Sequence, residues 1–235
     1  MLCLLRSRYI SNIGVRRRLS SKPFKQWVKK KCLPPKDTAL VPSKLIGSLG
    51  FDFPMCGRDH ATNLAFELLD KRFANKHSTD RNLHPIAVIA GSPGIGKTRL
   101  TIELPNILNS YIEQREYNIN KFIPIIFTYN NGNPLCDLDY SLPIQRALSL
   151  RVLHAFSKTS ESFVDFAHSV PKSLLSNITL KSTFTEIVSH ANSTLINKDK
   201  IQGIYLGLDE FNRLVLEKGD VVDTSYLHQV SIYDV

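Results

Sequence analysis

The run Gly91-Ser92-Pro93-Gly94-Ile95-Gly96-Lys97-Thr98 fits the spacing G-x-x-x-x-G-K-[ST], whose chemistry is phosphate binding. Glycines let the backbone turn through conformations closed to other residues and come close to anionic oxygens. The N–H groups of the loop and of the helix that follows then point at the anion, and the helix dipole adds to the attraction. In that arrangement Lys97 reaches the β- and γ-phosphates and the Thr98 hydroxyl ligates Mg2+.

A second chemical feature lies 112 positions beyond Lys97, where the apolar run of "IYLGLDE" stops at Asp209 and Glu210. In a phosphate-loop fold a neighbouring parallel strand delivers its C-terminal acid to the magnesium beside the phosphates. Asp209 is assigned to Mg2+, through water, and Glu210 to orienting and polarising an attacking water. Two acids after an apolar run could also be the first-turn acids of a following helix. No Asn-Lys-x-Asp guanine reader occurs in the chain, which favours ATP over GTP.

The elements that must position these groups read as α/β. "HPIAVIAG", ahead of the loop, has the short continuous apolar run of a central parallel strand. A helix starts near Lys97, with Pro105 expected to end or kink it. "KFIPIIFTYNNGNP" reads as a second buried strand and "IQGIYLGLDEF" as a third. Helical stretches fall around Pro143 to Ser157, Glu161 to Ser169 and Thr183 to Leu195. In "FDFPMCGRDHATNLAFELLDKRFA" a loop leads into a helix with Leu64, Phe66, Leu68, Leu69 and Phe73 as its apolar stripe. Strands alternating with helices imply a sandwich around a parallel sheet.

Charge divides the chain. Residues 1–50 carry twelve Lys/Arg against one acid, Asp37, whereas the remainder carries eighteen against twenty. The net charge of +9 therefore belongs to the leader, and the body gives no strong nucleic-acid signal. The acid-free, Arg- and Ser-rich start has the composition of a mitochondrial presequence. Leu2, Leu5, Tyr9, Ile10 and Ile13 fall at helix-like spacing. A disordered basic tail, or upstream coding sequence included in the chain, would show the same composition. "KPFKQWVKKK" interleaves Phe24 and Trp27 with lysines; it could touch RNA or anionic lipid, and otherwise reads as leader or linker. No apolar run is long enough for a membrane span. Cys3, Cys32, Cys56 and Cys136 are too scattered for a zinc site and read as free thiols. After the Pro-rich connector "LPPKDTALVPSK" the folded part is expected to begin, giving residues 1–45 as leader and linker and 46–235 as one phosphate-loop domain.

With these residues in view, the chain resembles the AAA+ and STAND class of P-loop ATPases, and in detail the NTPase region of Crinkler and retrotransposon hot-spot proteins. The resemblance is carried by "GSPGIGKTRLTIELP", "FIPIIFTYNNGNP", "SLPIQRALSLRVLHAFS" and "IYLGLDEFNRL". It implies a three-layer P-loop sandwich that binds ATP and Mg2+ through Gly91, Ser92, Pro93, Gly94, Ile95, Gly96, Lys97, Thr98 and Arg99. "MCGRDHATNLAFELL" is similar to the Gly-Arg-acid box near the adenine, so Met55 to Arg58 would line base and sugar. Asn130 or Asn131, at a strand end, would restrain Glu210, although Asn-Asn-Gly is also good turn chemistry.

The departures matter equally. No secretion signal or translocation header of the Crinkler kind is visible, and sensor, arginine finger and helical lid have no room after Glu210; Arg213 is the nearest local arginine. Three strands are placed where the class needs about five, with one more near "QVSIYDV", so the domain reads as truncated at its C-terminus. Two functions follow: an ATPase that takes an arginine from a neighbouring subunit, or a nucleotide-binding interaction module, a degenerate effector fragment, with little or no hydrolysis. Partners beyond nucleotide would be an unidentified protein or another copy. The leader points to mitochondria; cytoplasmic residence, or secretion into a host cell as the resemblance implies, are the alternatives.

Overall fold

The computed structural model describes residues 2–6, 22–32, 56–75, 78–83, 87–92, 94–114, 122–130, 133–157, 159, 161–194, 201 and 203–210. Pro93, Met55, Asn131, Arg213 and the "QVSIYDV" segment lie outside them. The architecture is mixed α/β. In chain order the elements are β1 (Leu2–Arg6), α1 (Lys22–Lys31), α2 (Asp59–Ala74), α3 (Lys97–Gln114), β2 (Phe122–Thr128), α4 (Asp137–Ser141), α5 (Ile144–Ser157), α6 (Phe163–His168), α7 (Lys172–Leu175), α8 (Leu180–Thr194) and β3 (Gly203–Asp209), with a 3-10 turn at Arg81–Leu83.

Strands β2 and β3 pair in parallel from Phe122↔Gly203 to Thr128↔Asp209. All of β3, and β2 apart from the half-buried Pro124, is buried, as continuous apolar sequences must be when both sheet faces are covered. Alternation along each strand decides the partners of each side chain. Ile123, Ile125 and Phe127 of β2 and Ile204, Leu206 and Leu208 of β3 join a cluster that includes Leu150, Leu153 and Phe156 of α5 and Phe184 and Ile187 of α8. Phe122, Ile126 and Tyr205 join a second cluster with Ala65, Phe66 and Leu69 of α2 and Leu104 and Leu108 of α3. Gly207 is needed where α3 crosses β3: a Cβ there would sit 2.8 Å from Thr101 Cγ2 and 3.1 Å from Ile126 Cγ1.

Several expectations are corrected. The sheet is not wholly parallel: its order is β1-β3-β2, and β1 runs antiparallel to β3, from Leu2↔Gly207 to Arg6↔Gly203. Leu2–Arg6 is therefore a strand and not one end of an amphipathic helix. The free edge of β3 supplies backbone partners that a five-residue segment has no means of making locally. In "HPIAVIAG", Ala87 makes one β-bridge and residues 88–90 form no strand. Val88 is 68% exposed, so this segment is not covered on both faces as a central strand is. Leu64, placed in the apolar stripe of α2, faces solvent.

Helix α3 continues through Pro105. Proline removes the N–H that would bond the carbonyl four residues back, here that of Thr101. The Tyr205 hydroxyl donates to that carbonyl at 2.9 Å, so the orphaned acceptor is satisfied from β3 and the helix does not stop.

The basic segment upstream of the Pro-rich connector is packed into the core, ahead of the boundary expected at residue 46. In α1, Phe24 and Val28 are buried, as is Cys32 just beyond it, an i, i+4, i+8 stripe that faces the α5/α8 cluster. Trp27 sits 5.9 Å from Phe166 between ring centroids, and Lys25 pairs with Glu186 at 3.0 Å.

Candidate functional site

The site gathers at the C-terminal ends of β2 and β3, against the N-terminus of α3. Parallel register brings Thr128 beside Asp209, and the Tyr129 N–H donates to the Asp209 carbonyl at 3.2 Å, extending the ladder by one bond. Helix α3 starts at Lys97, directly after the glycine-rich loop. Gly94 and Gly96 have φ of 81° and 84°, which a side chain would strain.

Thr98 Oγ1 donates to Asp209 Oδ1 at 3.0 Å, joining the two chemical features of the sequence in one place. Asp209 is 8% exposed, and this bond gives its carboxylate a partner. Lys97 curls back over the loop, its Nζ donating to the carbonyls of Gly91 and Ser92 at 2.9 Å each. An ammonium held there can be drawn onto an anion seated in the same loop, because a charge-assisted bond to phosphate is stronger than one to a neutral carbonyl.

Arg58, at the start of α2, lies against the loop: one guanidinium nitrogen is 3.2 Å from where a Cβ on Gly96 would be. Its side chain is half-buried and makes no hydrogen bond or ion pair among the described residues. This places Arg58 beside the backbone of the phosphate-type loop. Arg99 is engaged elsewhere, its Nε donating to Glu103 Oε1 at 2.6 Å one turn along α3. Ser92 and Ile95 are exposed on the loop.

Glu210 has φ of 53°, the left-handed region, which costs a non-glycine residue roughly 1–2 kcal/mol. It is the one described non-glycine residue with positive φ, and such strain collects at functional positions. The expected restraint of Glu210 by Asn130 is not formed: neither side chain has a hydrogen-bond partner among the described residues. Asn130 instead closes a turn, its N–H donating to Thr128 Oγ1 at 3.1 Å and its carbonyl accepting from the Asn133 N–H at 3.1 Å.

Sequence reasoning missed what holds this turn. Arg151 of α5 and Asp139 of α4 form a buried bidentate pair, with Nε to Oδ1 at 2.8 Å. The same guanidinium donates to the carbonyls of Asn133 and Pro134 at 3.1 and 2.9 Å. It lies between the rings of Tyr129 and Phe163, at 4.6 and 4.1 Å from their centroids. The segment leaving β2 is thereby fixed at both ends. One signal was present in the sequence: an arginine in the middle of the apolar helix "IQRALSLRVLHAFS" needs a partner to be buried.

A Mg2+ ion fits the oxygen chemistry of Thr98 and Asp209. Both are hard oxygen donors held 3.0 Å apart, so Thr98 would hold the ion by its hydroxyl and Asp209 through water. Among the described residues no group of three or more His, Cys, Asp or Glu could hold a metal, so magnesium here would depend on water and phosphate oxygens for most of its shell, as it commonly does.

Comparison with protein families, with curated proteins and with solved structures finds no match to this chain.

Proposed function

We propose that this chain is a P-loop ATP-binding protein of the three-layer sandwich type that uses Mg-ATP, and that it is an ATPase. The observation that carries the reading is the Thr98 to Asp209 hydrogen bond at 3.0 Å across 111 positions. A glycine-rich turn with no chemical role has no reason to present its Thr hydroxyl to a buried strand-end carboxylate. Lys97 folded over the same loop, and Arg58 against it, add two cations where phosphate charge would lie.

In this reading the loop N–H groups and Lys97 bind the triphosphate, while Thr98 and Asp209 hold the metal that neutralises it. Glu210 orients the attacking water; a carboxylate suits that role because phosphoryl transfer depends on positioning and charge stabilisation. The side chains of Asn130 and Glu210, which have no hydrogen-bond partner among the described residues, favour a second reading, in which the chain binds nucleotide as an interaction module and turns it over slowly. An arginine supplied in trans raises such rates by about 10³–10⁵.

The test is ATP binding by calorimetry with Mg2+, followed by phosphate release. Lys97→Ala should lose binding, and Glu210→Gln should bind ATP while releasing no phosphate. Equal affinity of Lys97→Ala for ATP would sink the assignment. Wild-type phosphate release at the buffer rate, with binding intact, would leave the interaction module.

A further inference from the structure

The lysines of α1 are a surface of the folded body. Lys22, Lys29, Lys30 and Lys31 are exposed and carry no ion pair or hydrogen bond among the described residues. Lys25 is the exception, paired with Glu186. The helix has no acid in its first turn and three lysines in its last. Docking fixes their direction, because Phe24, Val28 and Cys32 are buried at 3%, 1% and 0% exposure and Trp27 packs on Phe166. The position beside α8 is felt at His190, whose pKa is held below its ordinary value by burial and then by the charge of Lys29.

The geometry points to α1 as a binding surface for duplex DNA, held through its phosphates without reading bases. Three arguments select this partner. Both aromatic rings of the helix are engaged with the protein, Phe24 in the core and Trp27 on Phe166, so neither is presented for stacking on bases; the contact is ionic. The same burial leaves α1 no apolar face to insert into a bilayer. Finally, successive residues of a helix are about 100° apart around its axis, so Lys29 and Lys31 point about 160° away from each other. A flat lipid surface meets one of them at a time. The phosphates flanking a groove about 12 Å wide, which admits a helix, can meet both.

The experiment is fluorescence anisotropy of the full chain with a labelled 20-base-pair duplex across 50–200 mM salt. Each neutralised phosphate contributes about 0.9 to the slope of log affinity against log salt. Lys29→Gln/Lys30→Gln/Lys31→Gln should therefore flatten the slope by about two to three and weaken binding at every salt concentration. Circular dichroism would check that this variant folds; if it does not, Lys30→Gln alone should flatten the slope by about one. An unchanged slope in the folded variants, or no duplex binding by the wild type, overturns the proposal. Tighter binding to phosphatidylserine vesicles than to duplex, lost in the triple variant, would also overturn it and assign the patch to a membrane. None of these outcomes depends on nucleotide binding at Lys97.

Discussion

The Tyr205 hydroxyl and the Thr101 carbonyl, 104 positions apart, are joined by a 2.9 Å hydrogen bond, and that carbonyl is the one Pro105 deprives of its helical donor. Burial holds the Tyr205 phenol well above its ordinary pKa, so it remains a donor wherever the protein is folded. The helix that carries Lys97 and Thr98 is thus tied to the strand that carries Asp209. Tyr205→Phe should cost about 1–2 kcal/mol by leaving a buried carbonyl unmet. In a Pro105→Ala background, residue 105 regains its N–H, and Tyr205→Phe should cost less than about half as much. Urea unfolding of the four proteins checks this; equal cost in both backgrounds would separate Pro105 from Tyr205.

Glu210 is held at φ of 53°. Glycine accepts that conformation without strain, so Glu210→Gly should raise stability by about 0.5–1 kcal/mol while removing any water-orienting carboxylate. Thermal unfolding measures the first effect and phosphate release the second. A destabilised glycine variant would mean that the carboxylate holds the strand end in place.

Arg151 and Asp139 are each about 2% exposed. Arg151→Met should lower stability by about 3–5 kcal/mol, because Asp139 is left charged and buried. The double variant Arg151→Met/Asp139→Leu should recover most of that loss, which chemical denaturation can measure. No recovery would show that the guanidinium's bonds to the Asn133 and Pro134 carbonyls matter more than the ion pair.

Cysteine labelling tests whether α1 belongs to the body. Cys32 is fully buried and burial pushes its thiol pKa up, whereas Cys56 is exposed. Since the thiolate is the reactive form, iodoacetamide should modify Cys56 in the native protein and reach Cys32 only at the rate of opening or in denaturant. Mass spectrometry of peptides after brief alkylation reads both. Labelling of Cys32 as fast as Cys56 would return α1 to a free leader.

What could be read from the sequence was local. "FIPIIFT" and "GIYLGLD" are continuous apolar runs that need two covered faces, and they are β2 and β3. The stretches near 143–157 and 161–169 contain helices α5 and α6, and that near 183–195 overlaps α8, which starts three residues earlier. What could not be read depended on distant partners. "LCLLR" has nothing local to mark it as a strand, and its pairing is decided by the edge of β3, some 200 positions away. Pro105 signals a helix end until a tyrosine on another element meets its stranded carbonyl. Lysines near the start of a chain look like a leader until the spacing of Phe24, Val28 and Cys32 is given a core to enter. At the site, the loop spacing gave the position of Lys97 and Thr98, but the contact of Arg58 with the loop and the clamp of Arg151 on the β2 turn needed three dimensions.

The antiparallel register of β1, with Leu2 opposite Gly207, bears on how the protein should be handled. Leu2, the first residue of β1, lies opposite Gly207, two positions before Asp209, so a purification tag or fluorescent fusion on that end would be attached on the side of the sheet that carries the Thr98–Asp209 contact. A polyhistidine tag there would place metal-chelating side chains next to oxygens suited to magnesium. Assays on this protein are best designed with the appendage on the other terminus, or removed before nucleotide is added.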